Sequence, residues 1–113
     1  SVTSEHKDSY FVTKSDAPFM TMALPTTEAG QRDLSAAVHV DTTARAQVVT
    51  RRSNPRYHSL ITEFGRLSGV FGILNTSFNL KGDPIVHTPS DAIDMFRRTG
   101  MDHLVMGDFV VSG

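Results

Sequence analysis

Phe71-Gly72-Ile73-Leu74-Asn75-Thr76-Ser77-Phe78-Asn79-Leu80-Lys81-Gly82-Asp83-Pro84 is the passage from which the rest of the chain can be read. Its first four residues form an apolar run of strand length, expected to be a buried strand. Small polar residues crowd the exit of that run, and open α/β sheets bind their ligands beyond the carboxyl ends of the strands. Gly82-Asp83-Pro84 is a turn signal, so the loop is expected to fold back rather than trail into solvent.

On the C-terminal side, Thr88-Pro89-Ser90-Asp91 combines an N-cap, a first-turn proline and an acidic residue at the capping-box position. Ala92, Ile93 and Phe96 supply the buried face of that helix, and Gly100 ends it. His103 to Met106 and Phe109 to Val111 read as strands interrupted by Gly107-Asp108. On the N-terminal side, Asn54 caps a helix with Pro55 in its first turn and Tyr57, Leu60, Ile61, Phe64 and Leu67 as an apolar stripe; Gly69 marks its end.

Further upstream, Ala37 to Val40 and Ala46 to Val49 read as two strands of a hairpin around the polar turn Asp41 to Arg45. Residues 26 to 36 are expected to be a polar loop. Tyr10 to Thr13 and Phe19 to Leu24 read as short strands, and the polar residues 1 to 9 as a frayed or cut end. The pattern predicts an α/β fold bordering on α+β: one mixed, twisted sheet covered by two helices.

A chain of 113 residues fits one domain, and that size buries roughly two-thirds of its unfolded surface. Eleven Lys and Arg against twelve Asp and Glu leave no charge excess to drive the chain onto nucleic acid or an anionic membrane, so any anion site must be local. The absence of cysteine excludes disulfides and thiolate metal sites. No apolar run reaches the ~18 residues of a membrane helix, and there is no signal-peptide pattern, so a cytoplasmic protein is expected.

Asn75, Thr76, Ser77 and Asn79 offer neutral hydroxyl and amide groups for phosphate or carbonyl oxygens; their other reading is that they merely cap turn backbone. Arg45 suits two-pronged binding of phosphate or carboxylate, or is a solvated surface arginine. Arg51, Arg52 and Arg56 precede a helix N-terminus, where the helix dipole disfavours them. His39 and Asp41 would share a strand face, as an acid/base pair or as a hydrogen-bonded pair at a sheet rim. The five histidines show no zinc-ligand spacing, and no nucleophile elbow, Walker loop or dinucleotide fingerprint is present.

Three segments together resemble the C-terminal domain of the O-carbamoyltransferases of nodulation-factor and antibiotic biosynthesis: His39 to Val49, Asn54-Pro55-Arg56-Tyr57, and Leu74 to Pro89. The resemblance continues through Asp91-Ala92 and Gly107-Asp108-Phe109-Val110-Val111. It implies a partial YrdC-like domain across residues 10–113 that uses ATP and carbamoyl phosphate to make carbamoyl adenylate. It also implies a partner: an N-terminal sugar-kinase-like domain of the same protein, which carries a metal and passes the carbamoyl group to a hydroxyl.

Ser77-Phe78-Asn79 fits the Ser-Xaa-Asn element of YrdC-type sites. The upstream Lys-Xaa-Arg-Glu and Phe-Arg-Pro-Phe-Ala-Pro motifs are absent before Pro18, so the chain reads as a truncated piece, inactive by itself. By the resemblance, Arg45, Ser77 and Asn79 are the catalytic candidates, and His39, Asp41, Thr43, Asn75 and Thr76 join Ser77 and Asn79 in binding substrate and nucleotide. Magnesium would arrive with ATP, with no metal held by this domain. Thr42 stands where the family commonly has Gly, and His87 where it commonly has Cys. The competing reading is a non-catalytic module binding nucleotide or RNA, the RNA form disfavoured by the near-zero net charge.

Overall fold

A computed structural model describes residues 1–113, which divide into two compact units, Ser1–Asn75 and Thr76–Gly113. In the first, β1 (Val2–Thr3) leads through a 3₁₀ turn (Ser4–His6) into α1 (Lys7–Tyr10). Next come β2 (Ala23–Pro25), α2 (Glu28–Asp33), a second 3₁₀ turn (Ser35–Ala37), β3 (Thr43–Arg45), β4 (Val48–Val49) and α3 (Pro55–Ser68). The second unit holds α4 (Pro89–Arg98), β5 (His103–Met106) and β6 (Phe109–Ser112).

The chain is a mixture of helices and small sheets, as an α/β reading expects, but the strands do not form one continuous sheet. They make three two-stranded pairings: β1 parallel to β4, β2 antiparallel to β3, and β5 antiparallel to β6. The two helices with the strongest sequence signals form where expected. Asn54 Oδ1 accepts from Tyr57 N–H at 3.1 Å, and Gly69 closes α3 in the left-handed region at φ 81°. Thr88 and Asp91 form a reciprocal capping box at α4, with bonds of 3.1 and 3.0 Å.

Several expectations are corrected. Residues 1 to 9 are no frayed end: Val2 and Thr3 are each 1% exposed and sit in the core. Strand pairing with Val48 and Val49 is what buries them, and composition carries no trace of a partner 46 residues away. Phe71 to Leu74 forms no strand. Gly72 makes only an isolated bridge to Val2, since β1 is just two residues long and offers no longer ladder.

The hairpin across residues 37 to 49 is also absent. His39 to Thr43 is a turn, Thr43–Arg45 pairs with β2, and Val48–Val49 pairs with β1. Tyr10 ends α1, Phe11 makes a single bridge to Thr26, and the second early strand shortens to Ala23–Pro25. The loop expected at 26 to 36 contains α2, which Thr27 caps by accepting from Gly30 N–H at 3.0 Å.

The core of the first unit gathers Tyr10, Phe11, Leu24, Ala44, Ala46 and Val48 about Val2, with Phe71 packed against them. α3 buries His58, Ile61 and Gly65 but leaves Leu60, Phe64 and Leu67 exposed, so only part of the predicted stripe faces the core. At Gly65 a Cβ would overlap the Phe71 ring, which lets helix and ring approach closely. His6 stacks on the same Phe71 ring, with centroids 3.8 Å apart and the two planes nearly parallel. Buried His58 donates from Nε2 to the Glu5 carboxylate at 2.9 Å, which with Glu5's own backbone amide holds that carboxyl down at about 2. The second unit has a smaller core of Ala92, Phe96 and Leu104, flanked by Phe78, Val86, Ile93 and Met106. No helix is long and apolar enough to cross a membrane.

Candidate functional site

The predicted site residues divide between the units. Arg45, His39, Asp41, Thr43 and Asn75 lie in the first, Thr76, Ser77 and Asn79 in the second. Arg45 ends β3 rather than sitting in a turn. Its neighbours Ala44 and Ala46 are each 2% exposed, and alternation along the extended backbone therefore sends Arg45 outward.

There it lines a cleft of ≈ 250 Å³ together with His39, Asn75, Met20, Val38 and Leu74. No carboxylate lines this cleft, and no hydrogen bond or ion pair engages the Arg45 guanidinium. An unpaired, always-charged fork of five N–H donors facing a carboxylate-free cleft favours an anion.

Asn75 is held from behind. Its Nδ2 donates to Gln47 Oε1 at 2.9 Å, and the same oxygen accepts from Ser1 Oγ at 2.7 Å. Asn75 Oδ1 is left free to accept from a ligand. Gln47, which orients it, is no site candidate in the sequence reading, where it falls within the strand Ala46 to Val49; a lone amide among Ala and Val is the available signal.

His39 and Asp41 do not pair on a strand face. The backbone reverses between them, with His39 N–H donating to Thr43 O at 2.7 Å and Thr42 N–H to His39 O at 3.0 Å. Asp41 Oδ1 accepts from both the Thr43 amide (3.1 Å) and hydroxyl (2.7 Å). These bonds hold the Asp41 carboxyl below its ordinary pKa. The same hydroxyl lies 3.3 Å from His39 Nδ1, so Thr43 links the two side chains. Asp41 and Thr43 thus shape the turn that presents His39, while His39 itself reaches the cleft wall. Thr42 occupies the tip with φ 62°, a conformation that favours glycine.

In the second unit the loop after Asn75 does not leave a sheet edge, since no strand precedes it. Asn79 is its clamp: Nδ2 donates to Leu80 O and to Asp83 O, both at 3.1 Å. Both contacts require the NH₂ group in that position, so Oδ1 must point the other way, where it is buried and has no donor. A buried acceptor without a partner is costly, on the order of 1–3 kcal/mol. The Ser77 and Thr76 hydroxyls are exposed and uncommitted. Arg98, in the last turn of α4, pairs with Asp83 at 3.2 Å. No group of three or more His, Asp or Glu side chains that could hold a metal is present.

A family model described as the carbamoyltransferase C-terminus matches residues 1–113. The chain is 45% identical over 94 residues to nodulation protein NolO of Bradyrhizobium diazoefficiens, covering 83% of this chain and 17% of the relative. It is 38% identical over 114 residues to nodulation protein NolNO of Sinorhizobium fredii, covering 98% and 17%. A third relative, a 3'-hydroxymethylcephem-O-carbamoyltransferase of Amycolatopsis lactamdurans, is 36% identical over 75 residues, or 66% and 14%. The chain therefore spans about a sixth of the length of the curated relatives it matches.

Proposed function

The chain belongs to the carbamoyltransferase C-terminal family, and on that premise we propose that it binds ATP and carbamoyl phosphate and forms carbamoyl adenylate, for O-carbamoylation of an acceptor completed by another domain of a longer, cytoplasmic protein. The observation that carries this reading is the unpaired Arg45 guanidinium over a cleft free of carboxylates. Forming the adenylate takes two bond exchanges: water cleaves carbamoyl phosphate to carbamate and inorganic phosphate, and a carbamate oxygen then joins the α-phosphorus of ATP as the bond to pyrophosphate breaks and pyrophosphate leaves. Such a transfer depends mainly on positioning and on neutralising charge that spreads over phosphate oxygens.

Arg45 supplies that neutralisation through paired N–H bonds that strengthen as charge develops. Asn75, oriented by Gln47, accepts from a substrate N–H or O–H, and His39 lies within the same cleft. In the second unit the exposed Ser77 hydroxyl is available to a phosphate or carbamoyl oxygen, and Asn79 sets the loop that carries it through its bonds to Leu80 O and Asp83 O. Asp41 and Thr43 act indirectly, through the turn they stabilise. Magnesium enters bound to ATP.

Isothermal titration tests the reading. Losing the charge-assisted bonds of Arg45 removes on the order of 1.5–3 kcal/mol, so Arg45→Ala is expected to weaken ATP binding about 10- to 150-fold. Ser77→Ala is expected to weaken carbamoyl phosphate binding about 3- to 10-fold, the worth of one neutral hydrogen bond. Parent-like binding by both variants refutes the assignment.

A further inference from the structure

Arg97 and Arg98 stand side by side in the last turn of α4, where the helix dipole favours both, but only Arg98 is engaged. Its guanidinium reaches the Asp83 carboxylate at 3.2 Å. The two residues face each other across a groove of ≈ 370 Å³ that separates α4 from the arm Asp83 to Val86, so an ion pair rather than packing joins arm to helix there. Asp91 and Asp94 line the same groove, with His87 as its other basic side chain. Without Arg98, the Asp83 carboxylate faces two like charges, and repulsion pushes the arm away from the helix.

That arm in turn holds the segment that follows Ser77. Val86 N–H donates to Phe78 O at 3.1 Å, and Asn79 Nδ2 donates to Asp83 O at 3.1 Å. Asp83 N–H donates to Leu80 O at 3.0 Å and closes the turn at Gly82, whose φ of 91° suits glycine. The two residues directly after Ser77 therefore hang on the arm that Arg98 ties down, while the Ser77 hydroxyl itself is exposed and uncommitted.

Resting on the reading of Ser77 above, we propose that Arg98 is a positioning residue of the substrate loop. Its ion pair with Asp83 latches the arm to α4 and so fixes where Ser77 presents its hydroxyl to a phosphate or carbamoyl oxygen. Arg98 touches no reacting atom. The latch has the strength of an exposed ion pair and weakens with salt.

The experiment titrates carbamoyl phosphate into the chain and follows the amide signals and order parameters of Ser77 to Asp83 by NMR. The variants are Arg98→Ala, Arg97→Ala, the charge swap of Arg98→Asp with Asp83→Arg, and Arg98→Ala combined with Ser77→Ala. Both arginines are exposed, so these changes spare the buried face of Ala92, Met95 and Phe96, and Asp83 makes its contacts within the loop through its backbone. Arg98→Ala is expected to move and loosen the Ser77 to Asp83 amides and to weaken binding about 2- to 5-fold, the range an exposed ion pair supports. Arg97→Ala, which loses the same dipole contact but not the latch, is expected to match the parent, and the charge swap to return binding to within about 1.5-fold. In the Ser77→Ala background Arg98→Ala is expected to add nothing, since the hydroxyl it positions is gone. Unmoved loop amides in Arg98→Ala, an equal effect of Arg97→Ala, or a full additive loss on Ser77→Ala overturns the latch. Parent-like binding by Ser77→Ala overturns the reading of Ser77 instead, and the loop amides of Arg98→Ala and the charge swap then decide the latch by themselves.

Discussion

Thr42 offers the sharpest test of how the site is built, because a β-branched residue holds a backbone conformation there, φ 62°, that glycine adopts freely. Left-handed backbone costs an L-residue roughly 1–2 kcal/mol. Thr42→Gly removes that cost and gives back roughly 0.5–1 kcal/mol through the greater freedom of glycine in the unfolded chain. The turn's hydrogen bonds survive, since they use backbone groups of residues 39, 42 and 43 and the side chain of Asp41. The Thr42 carbonyl also keeps its two donors, Thr26 N–H at 3.1 Å and Thr26 Oγ1 at 2.5 Å.

The net expectation for Thr42→Gly is a gain of about 0.5–1 kcal/mol, or roughly 3–6 °C in Tm for a domain of this size. Thr42→Ala keeps the positive φ and is expected to recover less than half of that. Thermal unfolding by circular dichroism, paired with ATP titration, reads both consequences. A Tm for Thr42→Gly at or below that of the parent refutes the strain argument. A gain in Tm with a severalfold loss of ATP affinity would show that the stiff turn, through Thr43, serves to place Arg45.

Gly65→Ala is expected to destabilise the first unit by about 1–2 kcal/mol despite the better helix propensity of alanine, because the new methyl drives α3 off the Phe71 ring; a higher urea midpoint would contradict this. Glu5 carries a depressed pKa of about 2, so the stability it contributes is present above about 4.5 and is lost as pH falls from there towards 2. Glu5→Gln should flatten that acid limb of the pH–stability curve and leave the neutral region nearly level, since more than half of the Glu5 side chain is solvent-exposed and screening keeps its contribution small. In α4, Thr88→Ala removes one half of the capping box and should cost about 1 kcal/mol, read as faster amide exchange in the first turn of that helix.

Local chemistry was legible where a residue acts on its own neighbours. The ends of α3 and α4 could be read from Asn54-Pro55, Gly69 and Thr88-Pro89-Ser90-Asp91 because capping is satisfied within three or four residues of chain. β5 and β6 were legible as two strands broken at Gly107-Asp108, while their antiparallel pairing across that turn is given by the tertiary structure. Arg45, His39 and Asn75 were recognisable as candidates from their chemistry, and the turn residues Asp41 and Thr43 from their habit of bonding backbone.

What residue order alone left open were pairings between distant, short segments. A two-residue strand such as β1 has no periodicity to detect, and its burial depends on Val48 and Gly72 arriving beside it. The same arrangement moved Arg45 from a supposed turn to the end of β3 and put Gln47 behind Asn75. Capping and turn chemistry are short-range and so are written locally; cavities and two-residue pairings are made by long-range packing, and exist only once the chain has closed on itself.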